Sequence, residues 1–155
     1  MSKEAQVSEQ VRDLFNKMAW LNKSRMEEQL KGYKSSEVHC IEAIKKKQHP
    51  NVTILAEALH MTRGALSRLT KKLVDKKVIE SYQKEGNRKE IYFRLTEQGE
   101  AVYQIHEAQH DYFRERDRAV FEQVTEDNYN ELLKFVALYD EHLDNEIKKQ
   151  GLTLN

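Results

Sequence analysis

Met61-Thr62-Arg63-Gly64-Ala65-Leu66-Ser67-Arg68-Leu69-Thr70-Lys71-Lys72-Leu73 is the stretch on which the rest of the chain is organised. Thr62 suits the N-cap of a helix, and Leu66, Leu69 and Leu73 then recur as one inward stripe. Arg63, Gly64, Ser67, Arg68, Lys71 and Lys72 fall on the opposite face, which is basic and largely short-chained. Such a face lets a helix approach DNA closely, with arginine and lysine in reach of phosphates and guanine edges. Upstream, Thr53 is a suitable cap for a shorter helix carrying Ile54, Leu55, Ala58 and Leu59, which stops at His60-Met61. Two helices written back to back across a sharp turn are expected here.

Downstream, Val78-Ile79-Glu80-Ser81-Tyr82 and Ile91-Tyr92-Phe93-Arg94-Leu95 are β-prone runs separated by the polar segment 83–90. They predict a hairpin with a basic tip, in which Lys84, Asn87, Arg88 and Lys89 are candidate DNA contacts. Helix, turn, helix and hairpin in that order describe a winged helix.

The order Leu-Ala-x-x-Leu, Thr-Arg-x-x-Leu-Ser-Arg-Leu, Asn87-Arg88-Lys89, Leu95-Thr96-x-x-Gly99 resembles the MarR family of bacterial transcription regulators. The resemblance implies a mainly α fold with a small β-hairpin wing. A winged helix-turn-helix lobe of about 35–96 would be flanked by dimerisation helices at about 5–31 and 97–150. It implies a sequence-specific regulator of double-stranded DNA, acting as a ligand-responsive repressor and homodimer on a palindromic operator. The sequence departs from the family at His60 and Lys77, where glycine is usual, and at Asn87, where aspartate is. Of these, Lys77 is expected to carry mild backbone strain, because histidine and asparagine tolerate a left-handed conformation better.

The 155 residues include five glycines and one proline, which leaves little room for linkers and favours one largely helical domain. No run reaches the apolar length of a membrane span and no secretory leader precedes Met1-Ser2-Lys3-Glu4, so a cytoplasmic location is expected. The net charge of zero hides a division. Residues 1–96 carry 20 Lys and Arg against 12 Asp and Glu, while residues 97–155 carry 6 against 14. The segment from Arg63 to Lys77 holds six bases and one acid, a local field that attracts phosphate whatever the total.

Val7, Val11, Leu14, Phe15 and Met18 form a helical stripe that predicts a first helix from about Ser8 toward Leu30, ended by Gly32. Ser35 or Ser36 would cap a second, from Glu37 to about Lys47, before Pro50. After the wing, Thr96 would cap a long helix bearing Val102, Ile105, Gln109, Tyr112 and Phe113. Thr125 would cap a last one, with Tyr129, Leu132, Leu133, Val136, Tyr139, Leu143 and Ile147 on its apolar face. This is more apolar surface than a winged helix of this size needs for its own core, and a symmetric dimer is the simplest use for it.

His106 and His110 are four apart and share a helical face, so both can reach one divalent cation. In zinc-sensing members of the family that the chain resembles, such a pair is joined by a histidine of the second helix and a carboxylate from the first-helix region. His39 stands at the matching place in the second helix, and Glu27 or Glu28 could supply the carboxylate, although the connecting loop is shorter here and neither aligns without a gap. The same crevice, around His39, Cys40 and His106, alternatively suits a small apolar or phenolic effector. Cys40, the one cysteine, excludes an internal disulfide, and Val38, Ile41 and Ile44 around it mark it as a buried small hydrophobe. Residues 106–110 also spell H-E-A-Q-H, formally the string of zinc hydrolases. The remaining alternatives are therefore such a hydrolase, or a winged helix used for protein association.

Overall fold

The structure, a computed structural model, describes residues 1–151. The chain runs α1 (Lys3–Gln29), α2 (Ser35–Lys46), α3 (Val52–Ala58), α4 (Arg63–Asp75), β1 (Ile79–Lys84), β2 (Asn87–Leu95), α5 (Glu97–Phe121) and α6 (Glu126–Gln150). The two strands form one antiparallel hairpin with Ile79 opposite Leu95 and Tyr82 opposite Tyr92. This is a mainly helical winged helix: α3 and α4 are the helix-turn-helix, and β1-β2 is the wing.

Leucine spacing sets α4. Leu66 and Leu73 are fully buried and Leu69 nearly so, and they pack with Ile41, Ile44, Leu55 and Val78 into one core beneath α2, α3 and the hairpin root. Thr62 caps α4, its hydroxyl accepting from Ala65 N at 3.1 Å. Thr96 and Thr125 do the same for α5 and α6. Each satisfies one amide that the first turn would otherwise leave without a partner.

Three other helix starts differ from the sequence reading. α3 is capped by Asn51 and not Thr53: Asn51 Oδ1 accepts from Ile54 N at 2.8 Å. The preceding Pro50 carbonyl accepts from Phe93 N at 3.0 Å, which holds the chain extended up to the proline and lets a helix begin directly after it. α2 begins at Ser35, with neither Ser35 nor Ser36 as cap, because the Glu37 carboxylate reaches back to Lys34 N at 3.3 Å. α1 begins at Lys3, well before Ser8, on the hydroxyl of Ser2. A solvated first turn needs a cap but no apolar face, so the stripe from Val7 onward marks its start too late.

The hairpin is also longer than its apolar runs. Both strands continue through polar residues to a two-residue turn at Glu85-Gly86, with a bulge between Tyr82 and Lys84. Gly86 supplies the left-handed conformation there, at φ +83°, so Asn87 has no need of it. His60 and Lys77 do adopt positive φ, at 52° and 63°, and so does His49 at 48°.

α1 and α6 bury no residue of their own among the described residues. Trp20 is 77% exposed, Phe15 69% and Leu133 66%, so two helices of 27 and 25 residues present apolar side chains to solvent. Among the described residues, no helix is long and apolar enough to cross a membrane.

Gly99 and Gly64 are opposite cases. A Cβ on Gly99 would stand 1.9 Å from the Val78 carbonyl oxygen, a backbone atom, whereas one on Gly64 would meet nothing nearer than Arg68 Nη1 at 3.7 Å. Gly99→Ala is expected to lower stability by about 2 to 3 kcal/mol, the upper range for overpacking. Gly64→Ala should be neutral or stabilise by up to about 1 kcal/mol, since alanine is the better helix former. Urea midpoints of the two variants check both signs.

Candidate nucleic-acid interface and histidine crevice

The N-terminal turns of α4 carry the face expected to meet DNA. Thr62, Arg63, Gly64, Ser67, Arg68 and Lys71 are all exposed on it. Arg68 reaches back along the helix to lie near Gly64, where the missing side chain leaves room for it. Lys72, from the same expected set, is half exposed, but its ammonium stands 3.5 Å from the buried Glu37 carboxylate of α2. Lys76 makes the shorter pair with Glu37, at 2.6 Å.

On the wing, Asn87 Oδ1 accepts from the amides of Lys89 and Glu90, which stiffens the strand just past the turn. Gln83 Nε2 donates to the Arg88 carbonyl at 2.8 Å, and Arg88 and Lys89 are exposed. Lys84 is drawn over the ring of Tyr92, 4.8 Å from its centre. The wing root is tied to the segment before α3 by the Phe93 to Pro50 bond, by His49 Nδ1 at 3.0 Å from the Tyr82 hydroxyl, and by Asn51 donating to Glu90. Helix face and wing are thus two basic projections on one rigid lobe, spaced by the α3-α4 turn and the hairpin.

A crevice of about 690 Å³ opens between α1, the loop after it, α2 and α5. Met26, Leu30, Val38 and Phe113 give it an apolar wall, and Lys23, Lys34, His39, His106 and His110 provide polar groups. His106 is buried, and its Nε2 lies 2.8 Å from Glu42 Oε2 and 3.0 Å from His110 Nε2. Donor atoms of Glu42, His106 and His110 all lie within 4.8 Å of one another.

The structure therefore brings together two of the four ligands expected from sequence. His39 and Glu27 also line the crevice but stand outside this group: both are exposed, and Glu27 pairs loosely with Lys23 at 3.7 Å. Glu42 takes the third place. It is on α2 one turn after His39, on the side facing α5, and only knowledge that α2 packs on α5 could have picked it out. Cys40 does not line the crevice. It has no exposed surface, and burial pushes its thiol up to about 12, where it is neither a ready ligand nor a nucleophile. In the H-E-A-Q-H string, Gln109 is buried and its oxygen accepts from Arg25 of α1 at 2.6 Å, so that part of α5 packs on α1.

Burial opposes the charge on Glu42, yet hydrogen bonds from Lys46 and His106 outweigh it and hold the carboxyl below its usual range. His110 is lowered by burial and by the charge of His106. Both shifts leave a carboxylate and a neutral imidazole at physiological pH, the states that ligate cations.

A helix with an exposed basic face and a hairpin wing, borne on a lobe that carries long outer helices, defines a winged helix-turn-helix fold. Residues 34–91 match the MarR family model. It is 26% identical over 113 residues to the HTH-type transcriptional regulator YvnA of Bacillus subtilis, covering 73% of this chain and 72% of that protein. It spans roughly half the length of two other regulators of that organism. Among solved structures, Streptococcus pneumoniae FabT in complex with DNA shares the fold at a TM-score of 0.80 and 19% identity, covering 92% of this chain and 99% of that one. The adhesin competence repressor of Streptococcus pyogenes does so at 0.67 and 20%, covering 92% and 98%.

Glu37 is buried, but ion pairs and hydrogen bonds from Lys76, Lys34 N and Lys72 hold its carboxyl below the ordinary value near 4.5. Its stabilising contribution is present above that ordinary value and is lost as pH falls through the lower, folded one. Urea midpoints between about pH 6 and about pH 3, where carboxylates titrate, should therefore decline less steeply in Glu37→Gln than in the parent.

Proposed function

We propose that this protein is a DNA-binding transcription regulator that works as a homodimer. It inserts α4 of each subunit into the major groove of an inverted repeat and represses by covering a promoter. The observation that carries this reading is the exposed cationic face of α4, with Arg63, Ser67, Arg68 and Lys71 on a helix whose other side is the core of the lobe. The fold shared with FabT, solved with DNA, and with a protein named as a repressor supports it. Exposed apolar residues on α1 and α6 supply the surface for a second copy, interleaved about a twofold axis. The charge division supports the same arrangement, since the basic part of the chain holds the lobe and the acidic part holds α5 and α6.

Two such helices related by a twofold suit half-sites about one helical turn apart, roughly 10 base pairs. Arg88 enters the adjacent minor groove, with Lys84, Asn87 and Lys89 supporting it. A narrow A·T-rich groove has the negative potential that favours a guanidinium. On a duplex selected from a random pool, Arg68→Ala should cost about 1 to 3 kcal/mol of specific affinity. Arg88→Ala should lose most on A·T-rich flanks and lower the salt slope by about one phosphate equivalent. Equal loss on selected and random DNA would demote Arg68 to a phosphate contact, and a parent that shifts no duplex would end the reading.

The crevice is the regulatory site, and a divalent cation such as zinc is the effector that its polar end favours. His106 Nε2 faces both Glu42 Oε2 and His110 Nε2, but one ring nitrogen has a single proton or a single lone pair and makes at most one full hydrogen bond of the two. Three lone pairs converging on one cation would satisfy all of them. Glu42, His106 and His110 would hold it, with His39 nearby on the rim, and bridge α2 to α5. The fit is incomplete at one atom: His106 Nδ1 is buried with no partner, where a zinc ligand usually donates to a second group. A small apolar or phenolic effector would use the Met26, Leu30, Val38 and Phe113 wall instead. Protein purified without chelator or tag should carry about one zinc per chain by elemental analysis. His106→Ala with His110→Ala should abolish any metal dependence of DNA binding and leave the dimer intact. A double variant that answers zinc like the parent, or a parent that ignores micromolar zinc, sinks the metal reading.

A further inference from the structure

Glu37 is 1% exposed, yet it neither lines the crevice nor joins the histidine group. One carboxylate oxygen accepts from Lys34 N and closes the first turn of α2, while the other accepts from Lys76 Nζ. Lys72 Nζ stands 3.5 Å from the first oxygen. Lys76 Nζ also donates to the Gly32 carbonyl at 2.7 Å and lies 4.9 Å from the centre of the Tyr33 ring. Lys72 of the last turn of α4 and Lys76, its C-cap, therefore converge on one buried carboxylate, at the loop that carries Tyr33 and Lys34 into the crevice wall.

Lys72 follows Arg68 by one turn, so the two lie on one helical stripe. Its ammonium can turn inward to Glu37 or outward beside Arg68. A buried carboxylate and a backbone phosphate make the same offer to that ammonium, an anionic oxygen, and only one of them can be taken at a time. Lys76, another turn along, is held more firmly because it has two hydrogen-bond acceptors.

We propose that Glu37 is a positioning residue of the nucleic-acid face, which holds Lys72 and Lys76 away from DNA phosphates and anchors the C-terminal half of α4 to the crevice loop. The inference rests on the DNA-binding reading above. Phosphate contacts carry no sequence information, so cations kept off the backbone limit non-specific affinity and leave discrimination to Arg63, Ser67 and Arg68. Glutamine at this position keeps the shape and the acceptor for Lys34 N but removes the charge that detains the lysines.

A merely structural Glu37 would, when replaced, lower stability and weaken DNA binding together, without adding any charge to the interface. The positioning role has the opposite sign in one measurable quantity, the dependence of affinity on salt. Full-length parent, Glu37→Gln, Lys72→Gln and the combined variant are titrated with a random-sequence duplex at several salt concentrations. Glu37→Gln is expected to steepen the plot of log affinity against log salt by about one to two phosphate equivalents. Lys72→Gln alone should leave the parent slope unchanged, and in the combined variant it should remove about one equivalent of the gain. A slope in Glu37→Gln equal to or shallower than the parent's overturns the inference. So does a shallower slope in Lys72→Gln alone, which decides the matter if Glu37→Gln does not fold. A parent that binds neither random nor selected duplex removes the DNA reading, and the inference with it, whereas a binding parent with unaltered slopes removes the inference only.

Discussion

The carbonyl of Val78 is the point at which the winged helix closes. Val78 N donates to Leu73 O as α4 ends, and Val78 O accepts from Thr96 N at 3.1 Å, pinning the end of β2 beside the start of β1. The Thr96 hydroxyl donates to Lys77 O at 2.7 Å and accepts from Gly99 N, so the same residue caps α5. Gly99 is pressed so closely on this carbonyl that no side chain fits there. Lys77 takes a left-handed backbone to make the turn, a conformation costing an ordinary L residue about 1 kcal/mol. The main chain of this one buried residue thus joins α4, both strands and α5. The angle of the wing to the helix face, and of both to α5, depends on it.

From that junction the molecule divides into a lobe with its own core and outer helices without one. Val102 and Phe113 are buried on α5, which packs on α2 and α1, but α1 and α6 find no core within a single copy. Burying apolar surface is worth roughly 25 cal/mol per Å², so helices this exposed would be poorly held alone. In the proposed dimer their folding and association are one process, and stability would depend on protein concentration.

Legibility in the sequence followed the kind of signal. α4 was readable because its leucine stripe, its Thr62 cap and its basic face agree over 13 residues. Thr96 and Thr125 were readable for the same reason, a hydroxyl followed by a long amphipathic run. The starts of α2 and α3 are not legible because they depend on tertiary partners: Pro50 is held by Phe93, and Glu37 is fixed by lysines 35 and 39 residues later; α1 starts earlier than its apolar stripe because Ser2 caps a solvated first turn. The apolar runs end β1 too early and start β2 too late, because the hairpin continues on cross-strand backbone bonds after its apolar residues run out. The histidine pair could be read from a spacing of four. Glu42 could not, since its relation to His106 spans 64 residues and exists only once α2 lies on α5.

α2 is the element on which both ends of the site converge. Glu37 and Glu42 are five residues apart, about 140° around a helix, so they address different neighbours. The first holds Lys72 and Lys76 of α4, and the second meets His106 of α5. Anything bound at the histidines therefore acts on a helix whose other end is fastened to the proposed recognition helix. A ligand shifts such an arrangement only by as much as it prefers one placement of α2 over another. A cation bridging Glu42 to two α5 histidines has that preference built in, because it fixes the separation of α2 from α5. An apolar ligand held mainly by Met26, Leu30 and Phe113 would press instead on α1 and α5, and would reach α4 through the Tyr33 loop and Lys76.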